Sequence, residues 1–231
     1  MRPPDDDERE RTVKIPAGHV ELEGTLGVPR DPVGVILFAH GSGSSRFSTR
    51  NRFVARVLRD AGFATLLLDL LSAEEEQVDD VTRHHRFDID MLAERLVAAL
   101  DWLNVERDTA KLPVGLFGAS TGGGAALVAA TARPDRIAAV VSRGGRPDLA
   151  GHALPNVEAP TLLIVGGNDD VVIGLNEEAR AAMRAEVRLE IVPGATHLFE
   201  EPGTLERVAD LARDWFLAHV GREARQRRKP A

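Results

Sequence analysis

Short, continuous apolar runs alternate along the chain with stretches where apolar residues recur every three or four positions. The runs Val33–Ala39, Phe63–Leu68, Val114–Phe117, Ile137–Val141, Thr161–Val165 and Leu189–Val192 predict six strands, most of them apolar throughout, as expected of strands covered on both faces. Thr12–Ile15 and Val20–Leu26 predict two more, joined as a hairpin around Ala17-Gly18. Phe53, Val54, Val57, Leu58 and Ala61 share one helical face, and Gly62 ends that helix. Ile89, Leu92, Leu96, Ala99 and Leu103 form a second stripe behind Asp88, a suitable N-cap. Helices are also predicted over Gly122–Ala132, Leu175–Glu186 and Leu205–Val220. Strands alternating with helices give an α/β protein: an eight-stranded, mostly parallel sheet with helices on both faces.

The chain has 231 residues, enough for one domain with a substantial core. Residues 12–220 are expected to form it, between an acidic tail at 1–11 and a basic tail at 221–231, both solvated and disordered. The start is polar and has no apolar core of the kind a signal peptide needs, and no run is long enough to span a bilayer. Net charge is −7, which argues against a nucleic-acid partner, since that role needs basic surface. There is no cysteine, so disulfides and thiolate chemistry are excluded and a cytoplasmic location is the expectation. Ser72–Phe87 is the longest irregular segment and is dense in charge. Arg143–Pro160 holds at most a short helix, with no room for a cap domain, so an open or shallow site is expected.

The candidate chemistry begins at Gly118-Ala119-Ser120-Thr121-Gly122, between a strand and a helix. A nucleophilic serine on a tight strand–turn–helix elbow needs this context: flanking glycines let the two elements approach, and helix amides favour developing negative charge. A phosphate-binding loop would need a lysine that is absent, and the dinucleotide fingerprint begun at Gly41-Ser42-Gly43 fails at Arg46, where its third glycine should stand. The serine needs a base, and the base needs a carboxylate to orient it. The loops after Thr161–Val165 and Leu189–Val192 supply Asp169 and His197 at the same sheet edge, in the chain order serine, acid, base; Asp170 competes as the acid. Oxyanion donors are expected from the amide of Thr121 and from the loop after Val33–Ala39, with Ser42 the first choice and Gly41 the second. Arg143 and Arg46 lie near the same edge and are candidates to clamp a substrate carboxylate or phosphate; the alternative is that neighbouring acids such as Asp148 or Glu74–Glu76 pair with them. His84 and His85 lack a second cluster at ligand spacing, so neither a metal nor a cofactor is expected.

With these residues in place, the segments FAHGSGSSRFSTRN, GLFGASTGGGAAL, VVSRGGRPDLAG, LLIVGGNDDVV and EIVPGATHLFEEPGTLE resemble the α/β-hydrolase superfamily, and within it the small, capless dienelactone hydrolase-like group. The resemblance covers about Val33 to Val220 and implies an α/β-hydrolase fold without a cap domain. It implies a serine hydrolase cleaving an ester, lactone or thioester of a small acyl substrate through an acyl-enzyme. The elbow departs from true dienelactone hydrolases, which carry cysteine there. Some relatives are joined to phosphoribosyltransferase domains, which implies association with such a protein. Acyl transfer to an alcohol or amine, and a non-catalytic ligand-binding or adaptor role, remain alternatives.

Overall fold

The computed structural model describes residues 10–227, with side chains to residue 221. Its elements in chain order are β1 (Glu10–Ala17), β2 (Val20–Gly27), β3 (Val35–Ala39), α1 (Thr49–Asp60), β4 (Ala64–Leu68), α2 (Ala73–Thr82), α3 (Ile89–Leu103), β5 (Val114–Ala119), α4 (Thr121–Ala132), β6 (Ile137–Arg143), β7 (Thr161–Gly166), α5 (Asp170–Ala182), β8 (Val187–Val192) and α6 (Thr204–Arg227). The sheet runs β1-β2-β4-β3-β5-β6-β7-β8. The β1–β2 and β2–β4 pairings are antiparallel and the others parallel. Each parallel connection carries the chain over a face of the sheet, which puts the carboxyl ends of β3 to β8 on one edge.

Two apolar layers hold the sheet. Val35, Leu37 and Ala39 of β3 face α3 and α4, whereas Ile36 and Phe38 face α1 and α6. This is why the strand is apolar at every position. The apolar stripe predicted for α3 is buried from Leu92 to Leu103, with Asp88 accepting a hydrogen bond from the Met91 amide. Among the described residues, no helix is long and apolar enough to cross a membrane.

Several expectations are corrected. Ser72–Phe87 is not irregular. Ser72 and Glu75 form a reciprocal capping box that starts α2, Arg83 ends it in a left-handed conformation, and a 3-10 turn follows at His85–Phe87. Helix α5 begins at Asp170 rather than Leu175 and ends at Ala182, because Met183 is already extended. The connection after β6 is a 3-10 segment, Pro147–Asn156, kinked at Gly151. The folded part also exceeds 12–220. Glu10 opens β1 and pairs with Arg59 at 2.7 Å, Arg11 pairs with Glu106 at 2.7 Å, and α6 continues to Arg227. The rest of both expected tails, residues 1–9 and 228–231, lies outside the described residues.

Candidate active site

Ser120 sits between the end of β5 and the first turn of α4, with φ 51° and ψ −122°. A residue with a side chain is strained there, by roughly 1–3 kcal/mol, and persists only where its surroundings enforce it. The enforcement is visible. A Cβ on Gly118 would lie 2.5 Å from the carbonyl oxygen of Gly122, and one on Gly122 would lie 2.5 Å from that of His40. Only glycines permit this approach of strand, turn and helix. The Ser120 amide donates to the Arg143 carbonyl at 3.3 Å, and its own carbonyl accepts from Gly123 and Arg146 at 2.9 and 3.0 Å. The nucleophile candidate is thereby held by backbone from both sides and remains half-buried.

Asp169 immediately precedes α5, and its carbonyl accepts the Ile173 amide at 2.9 Å, so the helix start fixes its position. His197 follows β8 in a loop anchored by buried Ala195 and Phe199. His197 Nδ1 lies 2.7 Å from Asp169 Oδ2. A carboxylate only accepts, so Nδ1 carries the proton and Nε2 presents a lone pair. Asp170 is exposed at the helix start, and the structure places Asp169 on the histidine. No hydrogen bond joins Ser120 Oγ to His197 among the described residues, an open arrangement common in ligand-free sites that close around substrate.

The loop after β3 lies against the elbow. A Cβ on Gly41 would sit 3.0 Å from Ser120 Cβ, so glycine there lets the loop reach the nucleophile. His40 braces it: Nε2 accepts the Leu70 amide at 3.1 Å, which makes Nδ1 the donor to the Gly41 carbonyl at 2.9 Å. Burial lowers the pKa of His40 despite that bond and the charges of Asp69 and Glu76, favouring the neutral ring these contacts need. The Ser42 amide donates to Thr121 Oγ1 at 2.9 Å. Loop and elbow are therefore linked, and the expected oxyanion donor has a partner in the free protein.

The two arginines separate. Arg46 is taken up by neighbouring acids: its guanidinium is bound to Asp69 and, at 2.6 Å, to Glu23, and its amide donates to Asp69 at 2.6 Å. The acids are on β2 and after β4, not at Asp148 or Glu74–Glu76, because Arg46 turns toward the β2 side of the sheet. Asp148 instead pairs with Arg146. Arg143 has no carboxylate partner among the described residues and is only 6% exposed. Arg50 and Asn51 accompany it. Sequence reasoning missed both, although their polar side chains near the start of a helix that follows a strand end were the available signal.

A cleft opens beside the oxyanion loop, lined by His40, Ser42, Leu71, Asp79, Arg86 and Thr121 among others. Helix α2 and the following turn form its outer wall. Buried Asp79 accepts from the Arg86 amide at 3.1 Å and from Nε at 2.5 Å, which fastens the wall. No group of three or more His, Asp or Glu side chains among the described residues could hold a metal ion.

The sheet order, the antiparallel first pairings and the elbow at the end of β5 define an α/β-hydrolase. A profile of the dienelactone hydrolase family matches residues 22–218. The chain belongs to that family. It is 60% identical to a solved dienelactone hydrolase of Anabaena variabilis, which covers 91% of this chain and 98% of its own at a TM-score of 0.90. The esterase Est1E of Butyrivibrio proteoclasticus shares the fold, with 16% identity, a TM-score of 0.75, and coverage of 90% and 98%. A Mycobacterium tuberculosis H37Rv protein provisionally named a phosphoribosyl transferase is 59% identical over 92% of this chain, and the match spans 47% of that relative's length.

Proposed function

We propose that the chain hydrolyses an ester, lactone or thioester through an acyl-enzyme on Ser120. His197 Nε2 takes the Ser120 hydroxyl proton as Oγ bonds to the substrate carbonyl carbon, and the carbonyl electron pair moves to oxygen. Asp169 orients the imidazole and stabilises its protonated form. The Thr121 amide faces the oxyanion; the Ser42 amide joins it by exchanging Thr121 Oγ1 for the new negative charge, with the Gly41 amide as the second choice on that loop. Collapse of the intermediate breaks the bond to the leaving group, which takes the proton from His197. Water then repeats the sequence in reverse and releases the acid.

The observation that carries this reading is the strained Ser120 backbone at the sheet edge, where the hydrogen-bonded His197–Asp169 pair also emerges. The short connection after β6 supports small, water-soluble acyl groups without activation at lipid surfaces. A panel of p-nitrophenyl esters of increasing acyl length, with lactones and thioesters beside them, tests it. Turnover of short soluble substrates is expected; a rate that jumps above the solubility limit of a long-chain ester contradicts the size assignment. Association with a phosphoribosyltransferase rests on the family resemblance and the relative's name, and its test is co-purification with a defined phosphoribosyltransferase.

A further inference from the structure

The backbone after β6 passes between the nucleophile and the base. The Arg146 amide donates to the Ser120 carbonyl at 3.0 Å, which holds the elbow from outside β5. Gly144 adopts φ 52°, and its amide donates to the Ile164 carbonyl of β7 at 2.7 Å. A Cβ on Gly144 would lie 3.0 Å from the His197 carbonyl oxygen and 3.6 Å from its ring Cε1, so this backbone lies against the base. Gly145 stands between these two contacts, and a Cβ there would collide with Ser142 Oγ. The position of Gly145 therefore bears on Ser120 through one neighbour and on His197 through the other.

Gly145 is buried, and its carbonyl needs a donor. The donor is Asn176 Nδ2, at 3.1 Å. Asn176 is completely buried on α5, about two turns beyond Asp169 at the start of that helix. Its second Nδ2 hydrogen goes to the Val172 carbonyl of the same helix at 2.8 Å. Both hydrogens thus meet carbonyl oxygens, and turning the amide over would set Oδ1 against two acceptors. Oδ1 itself is buried without a partner among the described residues. Packing alone would be better served by leucine, which has a similar size and leaves no buried acceptor unpaired. What leucine cannot supply is the bond to Gly145.

We propose that Asn176 is a positioning residue for the triad: by holding the Gly145 carbonyl it fixes the backbone of residues 144–146, and with it the spacing of Ser120 and His197. The inference rests on the hydrolase reading above and adds a residue to it. Asn176 touches no reacting atom. It ties the helix that begins beside the acid to the backbone that contacts the nucleophile and the base. A small displacement of that backbone costs rate, because proton transfer and attack both need close alignment.

The test uses the full chain as wild type, Asn176→Leu, Asn176→Asp and, as a control, Ala179→Gly, which loosens the same helix one turn further on. All are assayed well below the lowest Tm of the set, with ester turnover and the rate of fluorophosphonate labelling as readouts. Asn176→Leu should lose about tenfold or more in kcat and in labelling rate, with KM within about twofold of wild type. Ala179→Gly should stay within about twofold in all three. Asn176→Asp keeps the shape; ionised it cannot donate to Gly145, whereas protonated it can. Burial favours the protonated form, so kcat of this variant relative to wild type at the same pH should rise as pH falls from about 9 to about 6. This pH dependence still decides the matter if Asn176→Leu fails to fold. Unchanged rates in Asn176→Leu, an equal loss in Ala179→Gly, or a pH-independent ratio in Asn176→Asp overturns the positioning role while an active wild type leaves the hydrolase reading intact. A folded wild type that neither cleaves an ester nor is labelled at Ser120 overturns the hydrolase reading, and the positioning role with it.

Discussion

His197 Nδ1 meets Asp169 Oδ2 at 2.7 Å, and the neighbouring Asp170 faces solvent. This contact fixes the imidazole tautomer that leaves Nε2 free to act as a base. Asp169→Asn offers a donor or a neutral acceptor in place of the carboxylate and disfavours that tautomer. The expected loss in kcat is about 10³–10⁴-fold, whereas Asp170→Asn should stay within about twofold of wild type. Ester turnover by both variants decides it; a reversed order would move the acid to Asp170.

Ser120 and His197 act as a unit in this account, so their losses should not multiply. Ser120→Ala and His197→Ala are each expected to lower kcat by about 10⁴–10⁶-fold, with the double variant little worse than either. Steady-state kinetics of the three proteins check this. Multiplying losses would show two independent roles.

The buried charge of Arg143 has a stability consequence. Its pKa falls below the ordinary arginine value to about 10 in the folded protein, so between those two values the unfolded chain holds more protons and stability rises with pH. Below about pH 10 the penalty for burying the charge is fully present. Replacing Arg143 with methionine at pH 7.5 should therefore raise Tm, by about 2–4 °C for each kcal/mol relieved in a chain of this size. Calorimetry without added anions measures it, and a fall in Tm would mean that Asn51 and Phe199 compensate the charge on their own.

His40 gives a signature of the same sign near neutrality. Burial lowers its pKa below 6.5, so the neutral ring contributes stability that is present above 6.5 and lost as pH falls toward the folded value. Asparagine can accept from Leu70 and donate to Gly41 without titrating. The Tm difference between pH 7.5 and pH 5 should be smaller in His40→Asn than in wild type. An equal difference would place the acid sensitivity elsewhere.

What could be read from the chain alone follows from how local each feature is. The elbow was legible because Gly118, Ser120 and Gly122 meet a local steric demand between a run of apolar residues and a run of small ones. The alternation of strands and helices was legible because β3 and β5 bury both faces. Helix α2 was masked by its charge, although Ser72-x-x-Glu75 announced its cap. The start of α5 was missed because Val171 is exposed and breaks the apolar stripe there. The arginine pairings could not be read because they are non-local: Arg46 meets Asp69 and Glu23 across strands, and Arg143 meets Asn51 92 residues away.

The proposed mechanism stands on Ser120 as the nucleophile. Intact-mass measurement after incubation with a fluorophosphonate reads it directly, since the reagent captures a serine activated by its base. One adduct per chain, mapped to Ser120 and absent from Ser120→Ala and strongly slowed in His197→Ala, is the expected result. No adduct on the folded wild-type protein, or an adduct on another residue that survives in Ser120→Ala, would contradict it and favour a binding or adaptor role for this scaffold.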